Sequence, residues 1–95
     1  MYIKNAEYIT GYQLRVWFTD GTVRIISLYG LLNRSKNHLI NKYLDINLFK
    51  QFKVEEGTLC WGENEFDINP VKIYKGEYDL KNPSLKKLLE QKNLH

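Results

Sequence analysis

Residues 13–28 read QLRVWFTDGTVRIISL, and this stretch decides the fold. Its first part alternates apolar and polar residues with period two, which is typical of a strand with one buried face. The apolar side consists of Leu14, Val16 and Phe18. Arg15 and Trp17 lie on the opposite side, and Asp20-Gly21 provides a two-residue turn. Because residues 23–28 are again apolar and β-branched, the stretch predicts an antiparallel hairpin.

Shorter elements surround this hairpin. Residues 2–8 predict a preceding strand, and residues 52–61 predict a second hairpin that turns at Glu56-Gly57. Between the two hairpins, apolar residues recur at helical spacing, and Ser27 and Asp45 are placed to cap short helices there.

The C-terminal part of the chain has the pattern of one more helix. Asn82-Pro83 suits a helix start, because asparagine caps well and proline fits the first helical position. Its apolar stripe consists of Leu85, Leu88 and Leu89. We therefore predict an α+β fold with two antiparallel β-hairpins forming a small mixed sheet, short central helices and a C-terminal helix. Residues 1–75 form the domain, and residues 76–95 are a polar tether and an amphipathic helix, in the same domain or loosely docked.

The composition bounds the class of protein. The 95 residues suffice for one domain, and the net charge of +3 comes from scattered Lys and Arg rather than from a basic stripe. The single cysteine, Cys60, excludes an intramolecular disulfide and fits a reducing compartment. The sequence has neither a signal-peptide pattern nor a long apolar run. We therefore expect a soluble, cytoplasmic protein with no membrane partner.

Several short motifs, taken in order, resemble one bacterial family. They are Phe18-Thr19-Asp20-Gly21, Leu48-Phe49, Thr58-Leu59-Cys60-Trp61, Asp67-Ile68-Asn69-Pro70 and Tyr74. Over roughly residues 2–75 this order is similar to that of domain of unknown function 2442, a domain that also occurs as the N-terminal part of some helix-turn-helix proteins. The family has an acidic residue where this chain has Val71. The resemblance implies a small α+β domain without an established activity, often encoded beside another small protein in toxin–antitoxin-like pairs.

The sequence carries no recognisable constellation for catalysis, a cofactor or a metal. His38, His95 and Cys60 are too few and too far apart in sequence for a zinc site. No glycine-rich phosphate loop occurs. We therefore predict that the protein is not an enzyme and has no cofactor.

Asp67 leaves two interpretations open. Together with Glu63 or Glu65 it would form an acidic site suited to acid–base chemistry or to a hard cation. Alternatively, its carboxylate accepts backbone N–H bonds at the turn over residues 68–70. We favour the turn.

The remaining functional signal is a binding surface. The candidate partner-binding residues are Arg15, Trp17, Arg24, Asp67 and Tyr74. Tryptophan, tyrosine and arginine are enriched at binding hot spots, whereas an aromatic and basic strand face also suits nucleobase stacking. We therefore predict a protein-interaction module, the antitoxin-like partner of a small protein, with a nucleic-acid-binding accessory or regulatory protein as the alternative. A homo-oligomer is compatible with both. The competing interpretation of the face is structural, with the C-terminal helix covering Trp17.

Overall fold

The computed structural model describes residues 1–63 and 65–80. The strands are β1 Ile3–Thr10, β2 Gln13–Phe18, β3 Val23–Ser27, β4 Lys53–Glu55, β5 Thr58–Trp61 and β6 Phe66–Ile68. The helices are α1 Tyr29–Arg34, α2 His38–Asn41, α3 Ile46–Phe49 and α4 Pro70–Tyr74, with a 3-10 turn over Lys42–Leu44 between α2 and α3. The α+β class is thus confirmed.

The first sheet is built around the hairpin of residues 13–28. β2 is its central strand and pairs antiparallel with both β1 and β3. At the hairpin turn, Asp20 Oδ1 accepts the Thr22 N–H at 2.9 Å. Gly21 has a φ of 91°, a conformation that glycine adopts without a Cβ penalty. The alternation read from the sequence holds, because Leu14, Val16 and Phe18 are buried.

The second hairpin belongs to a separate sheet. β5 is central here and pairs antiparallel with β4 and β6. The prediction of one small mixed sheet is therefore wrong, since the described strands form two three-stranded sheets in which every pair is antiparallel. The physical reason is that β1 and β6 each add to a different hairpin. The Ile3 N–H donates to the Gly57 carbonyl at 3.0 Å and links the two sheets.

The core lies between the sheets and the short helices, and aromatic rings fill much of it. Trp61 is fully buried, and its Nε1–H donates to the Phe49 carbonyl at 2.8 Å. The Phe66 ring stacks on Trp61 with 5.0 Å between centroids, and Tyr43 and Phe49 pack beside it. Many of the chain's aromatic residues thus serve the interior of a small domain, which must bury large side chains to be stable.

The central helices are short, as predicted, but one predicted cap is wrong. Ser27 ends β3, and α1 begins after Leu28 without a side-chain cap. The Ser27 hydroxyl does not cap α1, because β3 extends through Ser27. Asp45 does cap α3, since its side chain accepts the Asn47 N–H at 2.9 Å.

The end of the described chain runs along the open edge of β3. The Ser27 N–H donates to the Tyr78 carbonyl at 2.9 Å, and the Leu80 N–H donates to the Ile25 carbonyl at 3.0 Å. Asp79 lies opposite Ile26 in an antiparallel bridge. The predicted helix after Asn82-Pro83 lies outside the described residues. Within the part that is described, no helix has the length and apolar character needed to cross a bilayer.

Candidate functional site

The first sheet has an outer face, which we define by Glu7, Arg15, Trp17, Val23 and Ile25. Across the strands, Glu7 lies opposite Arg15, Arg15 opposite Ile25, and Trp17 opposite Val23. Because paired residues of antiparallel strands point to the same side, these five side chains share one surface. Sequence analysis missed Val23 and Ile25, although their period-two spacing on β3 carried the signal.

The outer face is separate from the core. Trp17 and Ile25 are half-buried, and neither belongs to the core cluster or to the apolar side chains packed against it. Val23 is 43% exposed. A three-stranded sheet has two faces, and among the described residues the core cluster packs on the face that carries Leu14 and Val16. The apolar side chains of the other face lie outside that described core.

Arg15 and Glu7 lie beside the half-buried indole of Trp17. The guanidinium carbon of Arg15 lies 5.9 Å from the centroid of the Trp17 ring, within cation–π range. Arg15 Nη1 is 3.2 Å from Glu7 Oε1, so the guanidinium also forms an ion pair with Glu7. A shallow groove of about 310 Å³ lies beside the indole, and its lining includes Lys4, Asn5 and Thr19.

Arg24 lies on the inner side of the same sheet and has a structural partner. Its Nε and Nη2 donate to the Tyr74 carbonyl at 3.1 and 2.9 Å. Tyr74 is the last residue of α4, so the guanidinium meets the partial negative charge of a helix C-terminus. Arg24 thus fastens α4 to the first sheet, on the face opposite Trp17.

Tyr74 is bound to the hairpin turn as well as to Arg24. Its hydroxyl donates to Asp20 Oδ2 at 2.7 Å, and its ring meets Phe18 edge to face at 5.1 Å. The bond from Tyr74, followed by the bond from Thr22, lowers the pKa of the Asp20 carboxyl. Asp20 therefore does more than turn chemistry, because two of the short sequence motifs meet in this contact.

We expect Tyr74→Phe to raise the pKa of Asp20 toward its ordinary value of about 3.9. The phenol hydroxyl stabilises the carboxylate, and the variant loses that bond while Thr22 keeps its own. A folded-state pKa below the unfolded value contributes stability above the unfolded pKa, and this contribution is lost as pH falls through the folded pKa. A carboxyl-carbon NMR titration of Asp20 measures the shift.

Tyr29→Phe is the matched control, because Tyr29 is 49% exposed. This variant removes a phenol hydroxyl away from the hairpin turn, so the pKa of Asp20 should not change. An Asp20 pKa that is the same in wild type and Tyr74→Phe would contradict the contact.

Asp67 does not make the turn contact that the sequence favoured. It is exposed on β6, opposite Cys60, and lines an open groove with Glu55, Glu56 and Thr58. The cap at the following turn is made by Asn69, whose Oδ1 accepts the Val71 N–H at 2.9 Å. The turn role assigned to Asp67 is therefore wrong by two residues, because the helix begins at Pro70 and its N-cap is Asn69.

The other interpretation of Asp67, an acidic site shared with Glu63 or Glu65, does not include Glu65. Glu65 accepts three hydrogen bonds away from Asp67, two from Lys42 Nζ at 2.8 and 2.9 Å and one from the Tyr43 hydroxyl at 3.0 Å. The bonds from Lys42 and then Tyr43 lower the pKa of Glu65. Among residues 1–63 and 65–80, no three His, Cys, Asp or Glu side chains are grouped so as to hold a metal ion.

Cys60 has the environment of a protonated thiol. It is half-buried on β5, and its Sγ lies 3.6 Å from the Lys53 carbonyl. Burial, followed by the charge of Glu55, raises the pKa of the thiol. Because the thiolate is the nucleophilic form, this environment does not activate the residue.

A family model described as "Protein of unknown function (DUF2442)" matches residues 3–79. The matched range contains all the described strands and helices. No curated protein and no solved structure matches the chain.

Proposed function

Because the chain belongs to the family of proteins of unknown function DUF2442, whose description names no reaction, we propose a role from its surface. The role is that of a non-enzymatic module that binds a small partner protein through the outer face of the first sheet. As the family resemblance suggests, the partner is encoded beside it in a bacterial genome, and the complex forms in the cytoplasm. The action is antitoxin-like and steric, since the bound module covers a surface of the partner.

The observation that carries the proposal is the oriented indole of Trp17 outside the core. Trp17 sits under the Arg15 guanidinium and beside Val23, away from the apolar cluster that stabilises the domain. Tryptophan and arginine are the residue types most enriched among binding hot spots. The ion pair with Glu7 holds Arg15 in place before binding, which reduces the entropy lost when a partner docks.

Nucleic-acid binding is the alternative, and Lys4 beside the Trp17 groove favours it. A base would stack on the indole while the cations contact phosphate. Against it stands the charge of Glu7, which pairs with Arg15 and leaves the outer face with little net positive charge. The protein-interaction role is therefore the better supported of the two.

Co-expression with the protein encoded beside it tests the proposal. We expect the two chains to co-purify and to remain associated at micromolar concentration, with an affinity that changes little between 50 and about 150 mM salt. No complex at these concentrations would overturn the proposal. Binding of DNA or RNA that weakens steeply over the same salt range would favour the alternative.

A further inference from the structure

We propose that the groove beside Trp17 binds a carboxylate of the partner protein, presented by an aspartate or glutamate that has an apolar neighbour. This assignment rests on the proposed function, because it names the chemistry of the same partner at the same surface. Three features of the groove support it: the bulge that shapes the groove, the hydrogen-bonding groups that line it, and its charge.

A β-bulge in β1 places two polar side chains in the groove. Ile3 lies opposite Phe18 and Asn5 lies opposite Trp17, so Lys4 is an extra residue between two consecutive pairs of the ladder. In a regular strand, successive side chains point to opposite faces, and only one of Lys4 and Asn5 would lie beside Trp17. Because the bulge interrupts this alternation, both residues line the groove. Bulges are frequent beside functional sites, where they re-aim a side chain.

The groove presents hydrogen-bond donors to a ligand. Its lining includes Lys4, Asn5 and Thr19, whose side chains carry an ammonium, an amide and a hydroxyl group. Asn5 Oδ1 already accepts the Ala6 N–H at 2.9 Å, so the amide nitrogen, a donor, is the group that Asn5 offers. Thr19 Oγ1 accepts the Tyr2 N–H at 3.4 Å, and its hydroxyl hydrogen is available to donate. A ligand that fits this set accepts several hydrogen bonds, as a carboxylate does.

The charge of the groove matches one carboxylate. Within the described part of the chain, no carboxylate forms an ion pair with Lys4, whereas Arg15 is paired with Glu7. Asp20 is not part of the lining, and its carboxylate oxygens accept bonds within the fold. The groove therefore carries one positive charge that a single anion neutralises. A nucleic-acid strand carries a phosphate at every nucleotide and binds along several cations, so this groove favours the carboxylate of a protein.

The size and the apolar wall of the groove fit a side chain presented by a protein. Its volume of about 310 Å³ is at the lower end of the range for small-molecule sites, about 300–1,000 Å³, and the groove is shallow. The Trp17 indole borders it, so an apolar residue next to the carboxylate in the partner packs on the indole. Hydrogen bonds from Lys4 and Asn5 to an ionised oxygen are about twice as strong as neutral ones. The groove thereby selects an acidic side chain over an amide of the same shape.

Two blocked tripeptides test the assignment on the full-length protein without the partner. They differ only in the central residue, which is glutamate in one and glutamine in the other, and leucine stands on both sides. Inorganic phosphate at the same pH and ionic strength is the third probe. The measurement is the change in the amide NMR signals of Lys4, Asn5 and Thr19 and in the indole Nε1–H signal of Trp17.

We expect the glutamate peptide to reach half-saturation at a concentration at least about fivefold below that of the glutamine peptide, the difference between a charged and a neutral hydrogen bond. Phosphate should bind more weakly than the glutamate peptide, because it has no apolar group to pack on the indole. Equal binding of the two peptides, or no binding of either, would overturn the assignment. Tighter binding of phosphate would also overturn it and would favour the nucleic-acid alternative.

Lys4→Gln and Lys36→Gln test the same contact in the complex with the partner. Both variants remove one positive charge from an exposed residue, but only Lys4 lines the groove. We expect Lys4→Gln to weaken binding at least about tenfold, and Lys36→Gln to stay within about twofold of the wild type. Once the contacting aspartate or glutamate of the partner is replaced by its amide, Lys4→Gln should have no further effect.

The two measurements separate this assignment from the proposed function. If the partner binds Lys4→Gln as tightly as the wild type, the assignment is overturned and the proposed function stands. If the partner does not bind the wild type but the glutamate peptide does, the proposed function fails and the carboxylate site stands.

Discussion

Trp61→Ala is expected to lower the free energy of unfolding by about 3–5 kcal/mol, the range for loss of a buried tryptophan. Trp61 is fully buried, stacks on Phe66 and contacts the rings of Tyr43, Phe49 and Phe52. Truncation leaves a cavity that the four neighbouring aromatic side chains cannot fill together, and the Phe49 carbonyl loses its donor. A 95-residue domain has a total free energy of unfolding of about 5–14 kcal/mol, so the variant loses a large part of its stability.

Thermal and urea unfolding measure this loss. At about 4–8 °C per kcal/mol, the midpoint should fall by at least about 12 °C. Trp17→Ala is the matched control, since it makes the same change at a half-buried position outside the core cluster. Its midpoint should fall much less, and equal effects of the two substitutions would contradict the placement of Trp61 at the centre of the core.

Local sequence patterns predicted much of the fold. The hairpin of residues 13–28 was readable because period two and Asp20-Gly21 act over neighbouring residues. The Asp45 cap was readable for the same reason, as its bond spans only two residues. Where two local rules compete, sequence is weaker: Ser27 suits a cap, but pairing with Gln13 across the sheet keeps it in β3.

The division into two sheets was not readable, because it depends on pairing between distant segments. β6 has only the residues Phe66–Ile68, too few for a periodic signal, and it becomes a strand by pairing with β5. β1 likewise pairs with β2 in the first sheet, whereas β6 pairs with β5 in the second. Pairing in the folded protein decides whether such a short segment becomes a strand, and its intrinsic β-propensity contributes little.

The candidate site shows the same limit. Trp17 and Arg15 were identified together because alternation places them on one strand face, and the structure keeps them in contact. Arg24 and Tyr74 were named beside them as candidate partner-binding residues, and Tyr74 also belongs to the motifs of the family resemblance. Their bond joins residues fifty positions apart, and only the fold reveals that both hold α4 to the first sheet.

We expect Trp17→Ala to weaken binding of the partner protein by at least about 2 kcal/mol, or about thirtyfold, the threshold of a binding hot spot. The indole is the largest side chain of the outer face, and Arg15 and Glu7 hold its surroundings in place. Its removal takes away apolar contact area and leaves the Arg15 guanidinium without its aromatic surface. Isothermal titration of the purified partner measures the change.

Val71→Ala is the control for this measurement, because Val71 is an apolar surface residue, 42% exposed, that lies on α4, away from the outer face. It should leave the affinity within about twofold, as most surface truncations outside a hot spot do. Far-UV circular dichroism separates lost binding from lost fold, and Trp17→Ala should retain the wild-type spectrum because the core does not include Trp17. Equal affinities of Trp17→Ala and wild type would place the partner on another surface. A loss that appears only at low salt would instead mark an electrostatic contact, because burial of an indole against an apolar partner is insensitive to screening.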